Sequence, residues 1–185
     1  MEKIINSVIG EEVTFLTTSK QSNGEVSLLE VLIGPKGGNP LHYHTRFSET
    51  FKVIAGELSI QVGKEKRILK PGETATAPAN VHHRFYNTSG KPVHFTCELR
   101  PANEGFENVL RIGFGLARDG QAATNGMPGS LVHIGILMNM GEGYFVGVFS
   151  MLEKFFRLFG TSEKAKKIEK QLLEKYCKSH EFNQA

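Results

Sequence analysis

A chain of 185 residues has room for one domain and an extension, and its make-up of 39% hydrophobic and 22% charged residues is that of an ordinary globular protein. The net charge of +3, from 22 Lys+Arg against 19 Asp+Glu, is too weak to argue for a nucleic-acid partner. Residues 151–185 carry eight Lys/Arg and five Glu, so the excess sits in the C-terminal tail.

The N-terminal "MEKIINSVIGEEVTF" has acidic residues where an export signal needs an apolar run. "VTFLTT" and "EVSLLEVLIGP" then read as strands ending at Gly/Pro. "LHYHTRFSETFKVIAG" follows, with His42 and His44 one residue apart and Glu49 five residues on. On a strand, residues i and i+2 point to the same side, so His42 and His44 project together while Tyr43 faces away. After a turn at "TRFS", Glu49 shares the inward parity of Phe51 and Val53. Burying an unpaired carboxylate is costly, and a divalent metal would offset that cost.

Leu58, Ile60 and Val62 alternate with polar residues, "VGKEKR" and "KPGE" read as turns, and "HFTCELR" is a last strand. Within "PGETATAPANVHHRFYN", His83, Phe85 and Asn87 share one face and His82 points the other way. Short strands with frequent turns predict an antiparallel sandwich or barrel over residues 1–103.

After Pro101 the period changes to that of helices. Phe106, Val109, Leu110 and Phe114 predict a first helix that stops at Gly120. "QAATNGMPGS" is a loop, and 131–140 is apolar enough for a helix. Phe149, Leu152, Phe156 and Phe159 form a stripe closed by Gly160. Ser162 is an N-cap candidate for a last helix whose Ile168, Leu172 and Tyr176 face one way. The apolar stretch 131–159 is interrupted too often for a membrane span. The basic last helix is most simply a solvated face, and contact with a membrane surface is the sharper, less favoured reading. Residues 104–185 are thus expected to be a helical extension that packs on the β-domain or forms an oligomer interface. Cys97 and Cys177 are the two cysteines, which fits a reducing cytoplasm.

The histidine motifs resemble those of the cupin family. Gly37, His42, His44, Glu49 and Gly56 follow its first motif, and Gly72, Pro78, His83 and Asn87 its second. The spacer after Gly37 is one residue short, and Asn80 stands where the motif has glycine. Asparagine tolerates the left-handed backbone a glycine would supply there. The resemblance covers roughly residues 25–100. It implies an antiparallel jelly-roll β-barrel in which His42, His44, Glu49 and His83 bind one divalent transition metal, Fe, Mn, Ni, Zn, Cu or Co.

Three functions are compatible with that site. The first is a metal-dependent enzyme of dioxygenase type, favoured over isomerase or decarboxylase, acting on a small oxygenated or aromatic molecule, with Glu49 as a base. The second is a non-catalytic small-molecule sensor. The third is an assembly or membrane-associated protein with a structural metal. Similarity to the family also makes a homodimer the expected state. Arg46 and Arg84 are candidates for steering an anion, although lone arginines are more often simply solvated. His82, His94, His133 and His180 are given no ligand role, and Cys97 reads as buried and inert.

Overall fold

The computed structural model describes residues 1–178, with only the backbone path at 148 and 149. His180 and the rest of 179–185 lie outside the described residues, as does the side chain of Phe149.

Period-two alternation carries the chain through ten strands before the first helix. They are β1 (Glu2–Asn6), β2 (Glu11–Thr17), β3 (Ser27–Ile33), β4 (His42–His44), β5 (Ser48–Ala55), β6 (Leu58–Val62), β7 (Glu65–Leu69), β8 (Thr74–Ala77), β9 (His83–Tyr86) and β10 (Val93–Arg100). Four helices follow: α1 (Glu104–Arg118), α2 (Leu131–Met140), α3 (Val148–Phe159) and α4 (Glu163–Tyr176). A short strand, β11 (Gly143–Phe145), lies between α2 and α3.

Two antiparallel sheets result. One has the order β1-β2-β3-β10-β5-β8 and the other β11-β4-β9-β6-β7. They make a jelly roll, and among the described residues no strand pair closes the two sheets into a hydrogen-bonded barrel. The inward residues of both fill one core, with Ile33, Phe51, Leu58, Ile60, Phe95 and Leu99 almost wholly buried. That alternation follows from the two-residue side-chain period when one face is packed.

Several strands depart from the sequence reading, among them β7, which takes in Glu65, Lys66 and Arg67 from the stretch that reads as a turn. β1 is short and alternates weakly, and it is held by pairing with β2. β11 contains glycine and two aromatics ahead of a helical stretch, and it becomes a strand because β4 offers an open edge. Tyr144 stacks on Tyr43 there, with ring centroids 5.1 Å apart.

The helices obey their local signals. Asn103 caps α1 by accepting from the Phe106 N–H at 2.8 Å, and Ser162 caps α4 by accepting from Ala165 at 3.1 Å. Ile168, Leu172 and Tyr176 of α4 pack with Ile112 and Leu116 of α1 and Ile136 of α2 in a second core. α2 and α3 meet backbone to backbone, for a Cβ at Gly135 would collide with the Phe156 carbonyl. Among the described residues no helix is long and apolar enough to cross a membrane.

Candidate metal centre

Both sheets contribute to the site. β4 and β9 of the five-stranded sheet bring His42 directly opposite His83, and β5 of the six-stranded sheet brings Glu49 from across the core. His44, Glu49 and His83 are buried at 3% exposure or less. One donor atom from each of His42, His44, Glu49 and His83 lies within 4.8 Å of all the others, so the four could hold a metal ion.

The outer nitrogens decide how these imidazoles can act. Nδ1 of His42 lies 2.9 Å from the Pro40 carbonyl, that of His83 2.9 Å from the Val81 carbonyl, and that of His44 3.4 Å from the Glu142 carbonyl. A carbonyl oxygen only accepts, so each Nδ1 carries the hydrogen and donates it. All three Nε2 atoms therefore turn towards Glu49 as the inner donors. A backbone carbonyl behind each ring is the usual way a metal-binding histidine is oriented.

The inner contacts fit a cation. Nε2 of His42 and of His44 stand 3.1 Å apart, and with both Nδ1 atoms protonated two lone pairs face each other. A positive centre or a shared proton satisfies that arrangement. His83 Nε2–H donates to Glu49 Oε2 at 2.6 Å, and His44 Nε2 is 3.8 Å from the same oxygen. The other carboxylate oxygen accepts from the Cys97 thiol at 3.7 Å.

The electrostatics sort the four groups. Burial, reinforced by His83, pushes the His42 pKa down to about 4, and burial also lowers that of His44. Burial favours the neutral acid at Glu49, but the His83 hydrogen bond and the nearby imidazoles outweigh it and hold the pKa at about 2. His83 goes the other way: burial lowers its pKa, yet the hydrogen bond to Glu49 more than compensates and raises it. Two neutral imidazoles thus stand beside a Glu49⁻–His83⁺ pair. Burial pushes the Cys97 thiol well up, which keeps it a donor.

The helices roof this centre. Glu107 of α1 is buried and accepts from Ser19 N at 2.6 Å and Ser27 Oγ at 2.7 Å, which ties the helix to the six-stranded sheet. Phe106 is thereby set with its ring 5.6 Å from that of His44. Beneath α3, Arg157 donates to the carbonyls of Met138 and Gly143, both at 2.7 Å, and Glu153 accepts from Phe145 N at 3.0 Å. These contacts hold β11 against the strand that carries His42 and His44. Between roof and sheets lies a cavity of about 320 Å³, reached by His42 and His44 and walled by apolar residues such as Phe106, Leu110, Leu137 and Phe145.

Asn80 takes the left-handed backbone at φ 64°, and its N–H donates to the His44 carbonyl at 2.7 Å. Asn87 acts structurally: its Nδ2 donates to the carbonyls of Gly34 and Lys91, fastening the loop before β4. Residues 29–97 match the family of the cupin domain. The chain carries a cupin domain.

A segment of 54 residues, 28% of the chain, is 39% identical to an oxidoreductase of Arthrobotrys oligospora. The match spans 21% of that relative's length. An RmlC-like cupin from Shewanella frigidimarina is 21% identical with a TM-score of 0.48, over 56% of this chain and 86% of that one. A sugar phosphate isomerase of the cupin superfamily from Silicibacter pomeroyi is 22% identical with a TM-score of 0.47, over 54% and 71%.

Other candidate residues stand apart from the centre. Arg46 pairs with Glu142 at 3.0 Å, and Arg84 donates to Gln61 at 3.1 Å and covers the Tyr86 ring. His94 pairs with Glu30 at 2.8 Å on the outer face of the sheet. His82 lies against Tyr43. The Glu142 carbonyl, the Phe106 wall and β11 were missed from sequence because each reaches the site from a distant part of the chain, whereas the Pro40 and Val81 carbonyls lie two residues before the histidines they anchor and carry no side-chain signal.

Proposed function

We propose that this protein is a metal-dependent enzyme in which His42, His44, Glu49 and His83 hold one divalent transition metal and the cavity takes a small, largely apolar or aromatic molecule bearing a coordinating oxygen. One observation carries the reading: three carbonyl-anchored imidazoles and a buried carboxylate converge where an apolar cavity of about 320 Å³ reaches the sheet. A bound metal supplies a Lewis-acid centre and, with iron, nickel or copper, a site for dioxygen chemistry. The chain's own residues do the rest. His42 and His44 present neutral nitrogens, Phe106 and Leu110 exclude water, and Glu49 is the residue we assign as the base. The likeness to an oxidoreductase supports the redox form over isomerase or decarboxylase chemistry. The two cysteines, both free, are in keeping with a cytoplasmic setting.

The test is elemental analysis of protein purified without added metal, beside a His42→Ala/His44→Ala double variant. About one ion per chain, lost in the variant, is expected; dioxygen uptake with a panel of small phenols and enediols then follows. Absence of stoichiometric metal even after reconstitution would end the reading. Saturable binding of such molecules without turnover would favour the sensing alternative.

A second reading, assembly as a homodimer, is favoured by α3. Met151, Phe155 and Leu158 are 82%, 53% and 69% exposed along that helix. Isolated exposed apolar residues are ordinary, whereas a continuous stripe suits a contact surface. Light scattering should show a dimer that Met151→Glu/Leu158→Glu converts to monomer with metal content unchanged. A monomeric parent protein would dismiss this reading.

A further inference from the structure

The cavity has one acid that the metal set does not use. Glu11 opens β2 and shares the inward parity of Val13 and Phe15, both in the core, while Glu12 points outward to pair with Lys3. Its side chain is half-buried and has no hydrogen-bond or ion-pair partner among the described residues, and loss of surrounding water raises its pKa to about 7. The ionisable residues lining the cavity are Glu11, His42 and His44. Glu11 comes from the six-stranded sheet and the histidines from the other. α1 lines the space over the two turns from Phe106 to Phe114, roughly 12 Å at 1.5 Å per residue.

Glu11 is half-buried, and its carboxylate stands on an otherwise apolar cavity wall with no counter-charge beside it. Its neighbours at this end, Asn6 and the loop through Gly126, make their own contacts: Asn6 Oδ1 accepts from Val8 N at 3.1 Å, and a Cβ at Gly126 would press on Ile9. The carboxylate gains most from a ligand that supplies positive charge and N–H donors together.

We propose that Glu11 is a specificity-determining residue that selects a ligand with a basic nitrogen, joined by an apolar body to the end facing His42 and His44. The proposal rests on the cavity being the ligand site of the function proposed above. An amine head would pair with Glu11, while the apolar body lies along Phe106, Leu110 and Phe114.

The probes are 4-phenylbutylamine and the neutral 4-phenyl-1-butanol, titrated by calorimetry into the metal-loaded protein and its Glu11→Gln variant at neutral pH. The wild type should bind the amine at least tenfold more tightly than the alcohol, and Glu11→Gln should bring the two within about twofold while alcohol affinity holds. Because Glu11 has no protein partner, the isosteric variant orphans nothing; an unchanged unfolding temperature and metal content verify that it is folded. Equal affinities in the wild type, or a preference that survives Glu11→Gln, would overturn the proposal and leave the metal reading intact. Failure of both probes to bind, with full metal loading, would remove both the cavity as ligand site and the role of Glu11.

Discussion

Metal affinity should depend on pH with a slope set by one proton. Three ordinary histidines with pKa near 6.5 would release up to three protons on binding a metal in mildly acidic solution. Here His42 is neutral down to about pH 4, His44 is shifted the same way, and Glu49 stays ionised to about pH 2. Only His83, whose pKa is raised by its hydrogen bond to Glu49, holds a proton that the metal must displace. Below that raised pKa, log affinity should rise by one per pH unit, which is tenfold or about 1.4 kcal/mol per unit. Above it, affinity should level off. The measurement is a competition titration of Zn²⁺ against a chromophoric chelator at intervals from about pH 5 to 8, after correction for the chelator's own protonation. Calorimetry in buffers of different ionisation enthalpy counts the proton directly. A slope of two or three between about pH 5 and 6.5 would show that the carbonyl-anchored histidines are not held neutral and would refute the reasoning. A flat profile would show that the Glu49–His83 pair carries no proton.

Three further outcomes are expected. Asn80 sits at φ 64°, so Asn80→Gly should be near neutral, whereas Asn80→Val should cost about 1–2 kcal/mol in urea unfolding and weaken metal binding through the His44 carbonyl contact; equal stability of the two variants would contradict this. Gly135→Ala forces a methyl against the Phe156 carbonyl, and a loss of about 1–3 kcal/mol is expected from the same assay. Arg157→Ala leaves Glu153 Oε1 and the carbonyls of Met138 and Gly143 without the guanidinium, so it should cost about 3 kcal/mol and loosen β11, read as faster amide exchange at Tyr144.

Much of the site was legible because its signals are local. The two-residue period puts His42 and His44 on one side of β4 and sets Glu49 in phase with Phe51, and the same parity turns His83 inward and His82 out. The start of the last helix was likewise written in a short-range cap at Ser162, and the change of period after Pro101 marked the first. The stripe on α3 was only half understood, since periodicity locates an apolar face without saying whether anything covers it. Glu11 carried a faint signal, an acid in phase with Val13 and Phe15, that becomes visible only once β2 is known to begin at residue 11.

What the amino-acid order by itself determined is the set of groups that can ligate a metal, the strand character of the first hundred residues and the places where helices start. These depend on side-chain parity and capping, which act over a few residues. Tertiary structure alone decided the protonation pattern and the shape of the ligand space. Those rest on the Glu142 carbonyl behind His44, on the His83–Glu49 hydrogen bond, on the pairing of β11 with β4, and on α1 being tied down by Glu107. Such contacts join residues as much as 98 positions apart, and their electrostatic effect exists only after folding has removed water from around them.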